Sequence, residues 1–231
     1  MRKESYGNIQ KLRKQAETGE PQAQYNLAHY LAAQVDAKKD RKECLELLKA
    51  SSEKGNKHAQ FALGNWYIHG IGVRKDYKRA YKYFLQSAKQ GERLAQYEIA
   101  VCLEKGHGID QNLSEATKWY RKAAEQGLAI AQGALGYCYS SGVGTRRNYK
   151  LAIYWYRRAA EKGCAESQYA LGYFYEYGLG SKQNKRLAKL WYQKAAKQKH
   201  QDAQAALKEL SQGAVSDNAS KTPVHPPEQV A

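Results

Sequence analysis

The sequence has no long apolar segment. No stretch approaches the roughly 18 consecutive apolar residues of a membrane-spanning helix, so no transmembrane segment is predicted. The charged N-terminal residues are not followed by the apolar segment of a secretion signal. We therefore expect a protein that works in the cytoplasm.

Motifs for catalysis and metal binding are also missing. The four cysteines form no CxxC pair, and the six histidines are scattered, with no i, i+4 pair. There is no GxxxxGKS or GxxxxGKT segment to bind a phosphate. A Ser-His-Asp triad assembles from distant positions, so an enzyme stays one alternative. The sequence favours a protein without catalytic residues, metal or cofactor.

The sequence does contain a tandem repeat of 36 residues. An Ala-Gln dipeptide begins at residues 23, 59, 95 and 131, and the step continues with Ser-Gln at 167 and Ala-Gln at 203. Glycine falls at 19, 55, 91, 127 and 163 with the same spacing. Two registers that agree without an insertion indicate an array whose units pack against their neighbours.

Each unit is predicted to form two helices, which we call helix A and helix B. Apolar residues in 59–67 follow the helical spacing i, i+4, i+7 and i+8. Gly70 and Gly72 then end helix A. Asp76 is suited to cap helix B, predicted from Tyr77 to Gln90, because its side-chain oxygen accepts a backbone N–H of the first turn. The equivalent capping residues are Asp40, Asn112, Asn148 and Asn184.

Large residues recur in helix B opposite small residues in helix A. Because the aromatic positions repeat, we interpret them as core, each contributing about 2–3 kcal/mol from buried area. Cys102 and Cys138 take an equivalent apolar position in helix A, so we expect buried thiols rather than a disulfide. The aromatic positions of helix B are Tyr83, Trp119, Trp155 and Trp191, followed by Phe84, Tyr120, Tyr156 and Tyr192.

Two segments, Ala131 to Gly144 (AQGALGYCYSSGVG) and Trp155 to Gly163 (WYRRAAEKG), resemble the Sel-one-like repeat family, relatives of the tetratricopeptide repeat. The resemblance covers about residues 20–212. It implies an all-α, right-handed α-solenoid of helix-turn-helix repeats that serves as a scaffold or adaptor in multiprotein assemblies.

The repeat spacing divides the chain into five units between two capping helices. Gln34 and Asp36 replace the glycine pair in the first unit, where an irregular loop is expected. The prolines near the C-terminus and the lack of apolar residues predict a disordered tail. The divisions are a capping helix at 1–19, repeats at 20–55, 56–91, 92–127, 128–163 and 164–199, a capping helix at 200–212 and the tail at 213–231.

The resemblance places helix A on the concave side of the solenoid. Positions equivalent to 58, 62, 65 and 69 lie opposite the core positions and are expected to be exposed, including Ala134 and Ala170. We call them the helix-A surface. Their chemistry varies between repeats while the core does not, which is typical of a recognition surface, although drift on any exposed face gives the same pattern.

The C-terminal half of the helix-A surface is rich in tyrosine. Tyr137, Tyr173 and Tyr177 are predicted to form an aromatic patch, and tyrosine provides contact area at low entropic cost. The alternative is that Tyr137 and Tyr173 only cover neighbouring helices. The candidate partner-binding residues are Asn26, His29, Asn65, His69, Val101, Lys105, Tyr137, Ser141, Tyr173 and Tyr177.

The protein is strongly basic, with 38 Lys and Arg against 22 Asp and Glu and a net charge of +16. In the last two repeats every Lys and Arg lies in the A–B loop or beyond, and none in helix A. Solubility, an acidic protein partner, nucleic acid and anionic lipid each explain this charge. The candidate residues, which we call the basic surface, are Arg146, Arg147, Arg157, Arg158, Lys182, Lys185 and Arg186.

Three functional hypotheses follow. The first is a protein-interaction scaffold that binds a partner segment on the concave helix-A surface. The alternative is a protein that binds nucleic acid or an anionic membrane through the basic convex face. The third is an enzyme, which the sequence does not favour.

Overall fold

The fold is entirely helical in the part of the chain that the structure, a computed structural model, describes, residues 2–34 and 38–212. The helices are α1 (Arg2–Glu17), α2 (Pro21–Gln34), α3 (Lys38–Glu53), α4 (Lys57–His69), α5 (Tyr77–Lys89), α6 (Arg93–Lys105), α7 (Leu113–Glu125), α8 (Ala129–Ser141), α9 (Tyr149–Glu161), α10 (Ala165–Tyr177), α11 (Lys185–Lys197) and α12 (Gln201–Gln212). Both predicted terminal helices, α1 and α12, are present. The expected disordered tail and the irregular loop at Asp36 lie outside the described residues.

The chain divides into two compact units, Met1–Gln111 and Asn112–Ala231. In the first unit each helix from α1 to α6 packs against the helix that follows it in sequence. The same order of packing runs from α7 to α12 in the second unit. Packing between successive helices is the arrangement expected of stacked hairpins, in which each hairpin buries its apolar face against its neighbours.

The predicted caps of helix B are present in four repeats. The Asp76 carboxylate accepts the Arg79 backbone N–H at 3.0 Å, and Asn148 accepts that of Leu151 at 3.1 Å. Asn112 and Asn184 cap α7 and α11 in the same way. A side-chain cap of this kind is worth about 1 kcal/mol. The prediction for Asp40 is wrong, because α3 begins at Lys38 and Asp40 therefore lies within its first turn.

The two glycines between helices A and B have different roles. Gly142 ends α8 in the left-handed region at φ +82°, as predicted. Gly144 also has a positive φ, of +66°, but it lies directly against the backbone carbonyl of Leu113 at the start of α7. Gly180 approaches Tyr149, at the start of α9, in the same way. The second glycine is therefore a point of close backbone contact between repeats.

The repeating aromatics of helix B form much of the core. Tyr192 is 1% exposed, and a Cβ added to Gly172 would lie 2.6 Å from its ring. Gly136 and Tyr156 repeat this pairing in the preceding hairpin. Trp119 is only half-buried, and the Lys122 ammonium lies 3.9 Å from the centre of its ring. A cation thus covers part of this half-buried ring.

In four repeats the glutamine of the repeating dipeptide forms a hydrogen bond to the end of the preceding helix. The Gln132 side chain donates a 3.0 Å hydrogen bond to the Ala124 carbonyl at the end of α7. Gln168 donates equally to Ala160 at the end of α9. This tie satisfies a carbonyl that a helix end leaves without an intrahelical partner. The regularity of the dipeptide is therefore structural.

The cysteines predicted to be core thiols, Cys102 and Cys138, are buried and form no disulfide bond. In the described ranges, no helix combines enough length with enough apolar character to cross a bilayer.

Candidate functional site

The helix-A surface of the first unit is polar and partly hydrogen-bonded within itself. Asn26 and His29 on α2 are exposed, as predicted. Gln22 donates a 2.8 Å hydrogen bond to the Asn26 side-chain oxygen and accepts one of 3.1 Å from Asn56. On α4, Asn65 is half-buried. These amides present donors and acceptors of the kind that bind an extended peptide backbone.

A pair of histidines flanks the Tyr25 ring in the first unit. The ring centres of His29 and His58 lie 5.9 and 5.6 Å from that of Tyr25. Nδ1 of His58 is 3.3 Å from a carboxylate oxygen of Glu92, whose side chain is only 13% exposed. Burial and the charge of Glu92 raise the pKa of Tyr25. The predicted residue His69 is exposed at the end of α4.

Glu98 is a feature of the helix-A surface that was not selected from the sequence. It is half-buried on α6, three residues before the half-buried Val101. Burial raises the pKa of its carboxyl group. Burial, and next the charge of Glu98, raise the pKa of the Cys102 thiol to about 12. Lys105 at the end of α6 is exposed.

Two positions of the helix-A surface in the second unit are buried, contrary to the prediction. Ala134 and Ala170 are 5% and 3% exposed. Each is followed three residues later by a tyrosine, Tyr137 or Tyr173, and side chains at i and i+3 are neighbours on a helix. On α4, Asn65 stands at the position equivalent to these tyrosines. The equivalent alanine there, Ala62, is half-buried instead of buried. We attribute the burial of the two alanines to shielding by the larger rings.

Tyrosines dominate the helix-A surface of α10. The rings of Tyr173 and Tyr177 are 4.6 Å apart, so these two predicted residues are in contact. Tyr169 lies one turn earlier on the same face and stacks on His200 at 4.8 Å. The repeat pattern places Tyr169 neither among the core positions nor on the exposed surface, so the sequence does not single it out. Tyr177 is 37% exposed.

Tyr137 lies on α8, one repeat before Tyr173, and is half-buried. Its backbone carbonyl accepts hydrogen bonds of 2.9 and 2.8 Å from the hydroxyls of Ser140 and Ser141. The Ser141 hydroxyl also accepts the Val143 N–H at 3.3 Å. Ser141 is therefore engaged at the end of its own helix.

A carboxylate lies among the tyrosines of α10. Glu176 is half-buried, and one of its oxygens accepts a 2.7 Å hydrogen bond from the buried Tyr192 hydroxyl. Burial raises the pKa of Tyr169 to about 12, with the charges of Asp202 and Glu176 acting in the same direction. The pKa values of Tyr173 and Tyr177 are also raised by burial and by nearby negative charge.

Every residue of the predicted basic surface is exposed. Three of them also have structural contacts, and one is Arg147, whose guanidinium lies 5.4 Å from the Tyr149 ring centre. The Arg157 guanidinium donates a hydrogen bond to the Tyr175 hydroxyl and so links α9 to α10. Arg158 donates one of 2.6 Å to the Tyr154 hydroxyl and lies 5.6 Å from the Trp155 ring centre. Part of the positive charge therefore covers aromatic rings and joins helices.

Exposed apolar side chains lie between these cations. Tyr154 on α9 and Leu190 on α11 take equivalent positions in helix B, and they are 48% and 45% exposed. Leu151, one turn before Tyr154, is 39% exposed. The spacing of the charged residues in the sequence does not reveal this apolar component.

Within the described residues, no group of three or more His, Cys, Asp or Glu side chains is arranged to hold a metal ion.

Successive helical hairpins with the same caps, glycine contacts and glutamine ties define an all-α repeat solenoid. The Sel1 repeat model matches five consecutive segments, 21–56, 57–92, 93–128, 129–164 and 165–200. The protein therefore belongs to the Sel1 repeat family. The matched segments begin one residue after the divisions drawn from the sequence alone.

Solved structures of Sel1 repeat proteins are similar to this chain. A protective antigen of uropathogenic Escherichia coli with an SLR fold is 30% identical, with a TM-score of 0.84; the match covers 88% of this chain and 44% of the antigen. A Sel1 repeat protein from Oxalobacter formigenes is 38% identical, with a TM-score of 0.72, covering 76% of this chain and 70% of the other.

The chain thus spans less than half the length of the E. coli antigen. A comparison with curated protein sequences gives no significant match. Sel1 repeat proteins generally act as protein-interaction scaffolds, and their repeats form a non-catalytic framework.

Proposed function

We propose that this protein is a scaffold that binds a segment of a partner protein on the helix-A surface of its repeats, without catalytic activity and in the cytoplasm. The observation that carries the proposal is the contact between Tyr173 and Tyr177, whose rings lie 4.6 Å apart on a surface that the core does not require. The scaffold role of Sel1 repeat proteins in general supports it.

The two units offer different chemistry to such a segment. In the first unit the amides around Asn26 are suited to hydrogen bonding with a peptide backbone. In the second unit the tyrosines provide rigid, amphipathic rings, which are common anchors in protein interfaces. Each unit therefore has its own means of holding part of a partner.

Affinity capture from the native cell at two salt concentrations tests the proposal. We expect one co-purified protein to persist at the higher salt, because screening weakens charge contacts far more than aromatic packing. The double variant Tyr137→Ala with Tyr173→Ala should weaken capture while the free energy of unfolding changes by less than about 1.5 kcal/mol.

Tyr154→Ala is the matched control, since it removes an exposed tyrosine from helix B. Equal capture by the double variant and the wild type would contradict the proposal. A large loss of melting temperature in the double variant would identify the two tyrosines as core residues instead.

A second candidate function is binding of nucleic acid or an anionic membrane through the basic surface. The observation that favours it is the combination of exposed Tyr154 and Leu190 with the cations around them, because a ring stacks on bases and an aliphatic chain enters a lipid headgroup layer. Binding to duplex DNA or to phosphatidylserine vesicles should then fall steeply between low and moderate salt. A flat salt dependence would exclude this role.

A further inference from the structure

We infer that the tyrosine face of α10 receives a cationic side chain, arginine or lysine, from the partner segment; this rests on the proposed scaffold function and specifies its partner chemistry. The site consists of Tyr169, Tyr173, Glu176 and Tyr177, which we call the α10 cluster. These residues stand at i, i+4, i+7 and i+8 and so share one face of the helix.

The rings of the α10 cluster form an aromatic wall. The ring centres of Tyr173 and Tyr177 are 4.6 Å apart, and their planes are at 45°. The Tyr169 ring stacks on His200, and its centre lies 5.5 Å from that of the Tyr192 ring. The faces of aromatic rings carry partial negative charge and attract cations placed within about 6 Å of the ring centre. The wall thus favours a positively charged guest over an anionic one.

Glu176 supplies the counter-charge. The buried Tyr192 hydroxyl holds one carboxylate oxygen at 2.7 Å, which fixes the group without neutralising it. Among the described residues no Lys or Arg forms an ion pair with Glu176, although the protein carries 38 of them. A half-buried carboxylate is unfavourable without a cation, so a guest that provides one gains binding energy.

Negative charge extends along the same side of the second unit. The charge of Glu209 on α12, together with that of Glu176, adds to burial in raising the pKa of Tyr177. Asp202 acts on Tyr169 in the same way. The helix-A side near α10 is therefore locally acidic, while the cations of α9 and α11 lie on helix B. A basic segment fits the first of these surfaces.

The repeat framework does not require most of the α10 cluster. In the preceding repeat, Gly133 and Ser140 stand where Tyr169 and Glu176 stand in α10. The Ser140 hydroxyl lies 3.3 Å from that of Tyr156. A serine is therefore the hydrogen-bonding partner of the helix-B tyrosine in this repeat, where α10 has the glutamate. Tyr25, Phe61 and Tyr97 take the position of Tyr169 in the first three repeats, so this ring follows the repeat pattern. The positions of Tyr173, Glu176 and Tyr177 vary between repeats, which leaves these side chains for a role outside the core.

The chain itself shows that such groups pair with cations. Arg158 lies 5.5 Å from the ring centre of Tyr154 and donates to its hydroxyl. Arg157 donates to the Tyr175 hydroxyl. The α10 cluster offers the same ring and hydroxyl chemistry with a carboxylate added, in a place where none of the described cations forms an ion pair with that carboxylate.

The test uses the full chain and an acetylated, amidated Gly-Arg-Gly-Arg-Gly peptide, with a citrulline peptide of the same length as the neutral match. Binding is followed by nuclear magnetic resonance of the tyrosine rings. We expect saturable shifts of Tyr173 and Tyr177 with the arginine peptide, and an affinity at least about tenfold lower for citrulline, which keeps the shape but loses the charge.

Glu176→Gln should weaken binding of the arginine peptide about tenfold, since the amide oxygen still accepts the Tyr192 hydrogen bond but carries no charge. Glu161→Gln makes the same change at an exposed position of helix B, at the end of α9, and should alter the affinity by less than twofold. A thermal melt of each variant checks that the fold is intact.

Three results would overturn the inference: no saturable shift with the arginine peptide, equal binding of the citrulline peptide, or equal binding by Glu176→Gln. If the captured partner still depends on Tyr137 and Tyr173 while one of these results holds, the scaffold function stands and only the cationic guest is wrong. If the arginine peptide fails this test and partner capture does not depend on Tyr137 and Tyr173, the proposal that the helix-A surface binds a partner is contradicted.

Discussion

Gln198 donates a 2.8 Å hydrogen bond from its side-chain amide to the side-chain oxygen of Gln168. Gln168 in turn donates to the Ala160 carbonyl, so both ends of its amide are satisfied although the residue is buried. One repeat earlier, Lys162 takes the position of Gln198, and the side-chain oxygen of the buried Gln132 has no hydrogen-bond partner. Lys54 takes the equivalent position in the first repeat, where the side-chain oxygen of Gln24 also has no hydrogen-bond partner.

Lys162→Gln is expected to raise the free energy of unfolding by about 0.5–1.5 kcal/mol, because the new amide reaches Gln132 as Gln198 reaches Gln168. The variant loses the hydrogen bond from Lys162 to the Gly127 carbonyl. This bond is exposed and therefore contributes little to the free energy of unfolding. Urea denaturation measures the difference. Lys150→Gln removes one exposed charge from α9, the helix that Lys162 follows, and should leave the stability within about 0.5 kcal/mol of wild type.

Gly180→Ala is expected to cost about 1–3 kcal/mol more than Gly163→Ala. Both glycines have a positive φ, of +70° and +91°, so alanine is strained at both positions. A Cβ at Gly180 would lie 2.7 Å from Tyr149, whereas nothing lies within 4 Å of one at Gly163. The difference between the two denaturation midpoints therefore reports the close contact between repeats. Equal midpoints would show that the contact relaxes without cost.

Native alkylation with iodoacetamide at pH 8 is expected to label Cys164 first. The thiolate is the reactive form, and the raised pKa of Cys102, about 12, leaves almost none of it at this pH. Cys44 and Cys138 are buried, while Cys164 is half-buried at the start of α10. Mass spectrometry should find one label in the folded protein and four after unfolding. Rapid labelling of Cys102 in the native state would contradict the burial of this part of the core.

Glu98→Gln is expected to stabilise the protein at neutral pH. Burial raises the folded-state pKa of Glu98 above its unfolded value, so the folded protein retains this proton to a higher pH than the unfolded chain. Wild-type stability therefore falls as the pH rises through the interval between the two pKa values. The variant is neutral at every pH and escapes this loss.

Melting temperatures at pH 4 and pH 7 test the sign of this effect. The advantage of Glu98→Gln should be small at pH 4 and larger at pH 7. Glu161→Gln, at an exposed position on α9, should show no such change with pH. A variant advantage that shrinks from pH 4 to pH 7 would mean that the folded protein stabilises the charged form of Glu98.

The repeat and its hairpins were predictable because their signals are local. A cap such as Asn148, a left-handed glycine such as Gly142 and the period of the apolar residues each act within a few residues of the chain. The prediction failed at Asp40, where α3 begins three residues earlier than the capping pattern indicates.

The candidate site was predictable only in part, since its properties depend on which helices come together. The helical period placed Tyr173 and Tyr177 on one exposed face, and the structure shows them in contact. It also placed Ala134 there, although a neighbouring ring shields a methyl group of that size. The role of Glu176 was not apparent, because its partner Tyr192 is 16 residues away in the next helix.

The sequence by itself determined the period, the helix order and the core, because caps, glycines and apolar spacing are imposed by backbone chemistry within each hairpin. Only the tertiary structure decided how the remaining polar groups are used. It joined Gln168 to Gln198, left the oxygen of Gln132 without a partner and set the Glu176 carboxylate among tyrosines. Hydrogen bonds and burial are properties of pairs of helices, and the position of a residue within one repeat does not specify them.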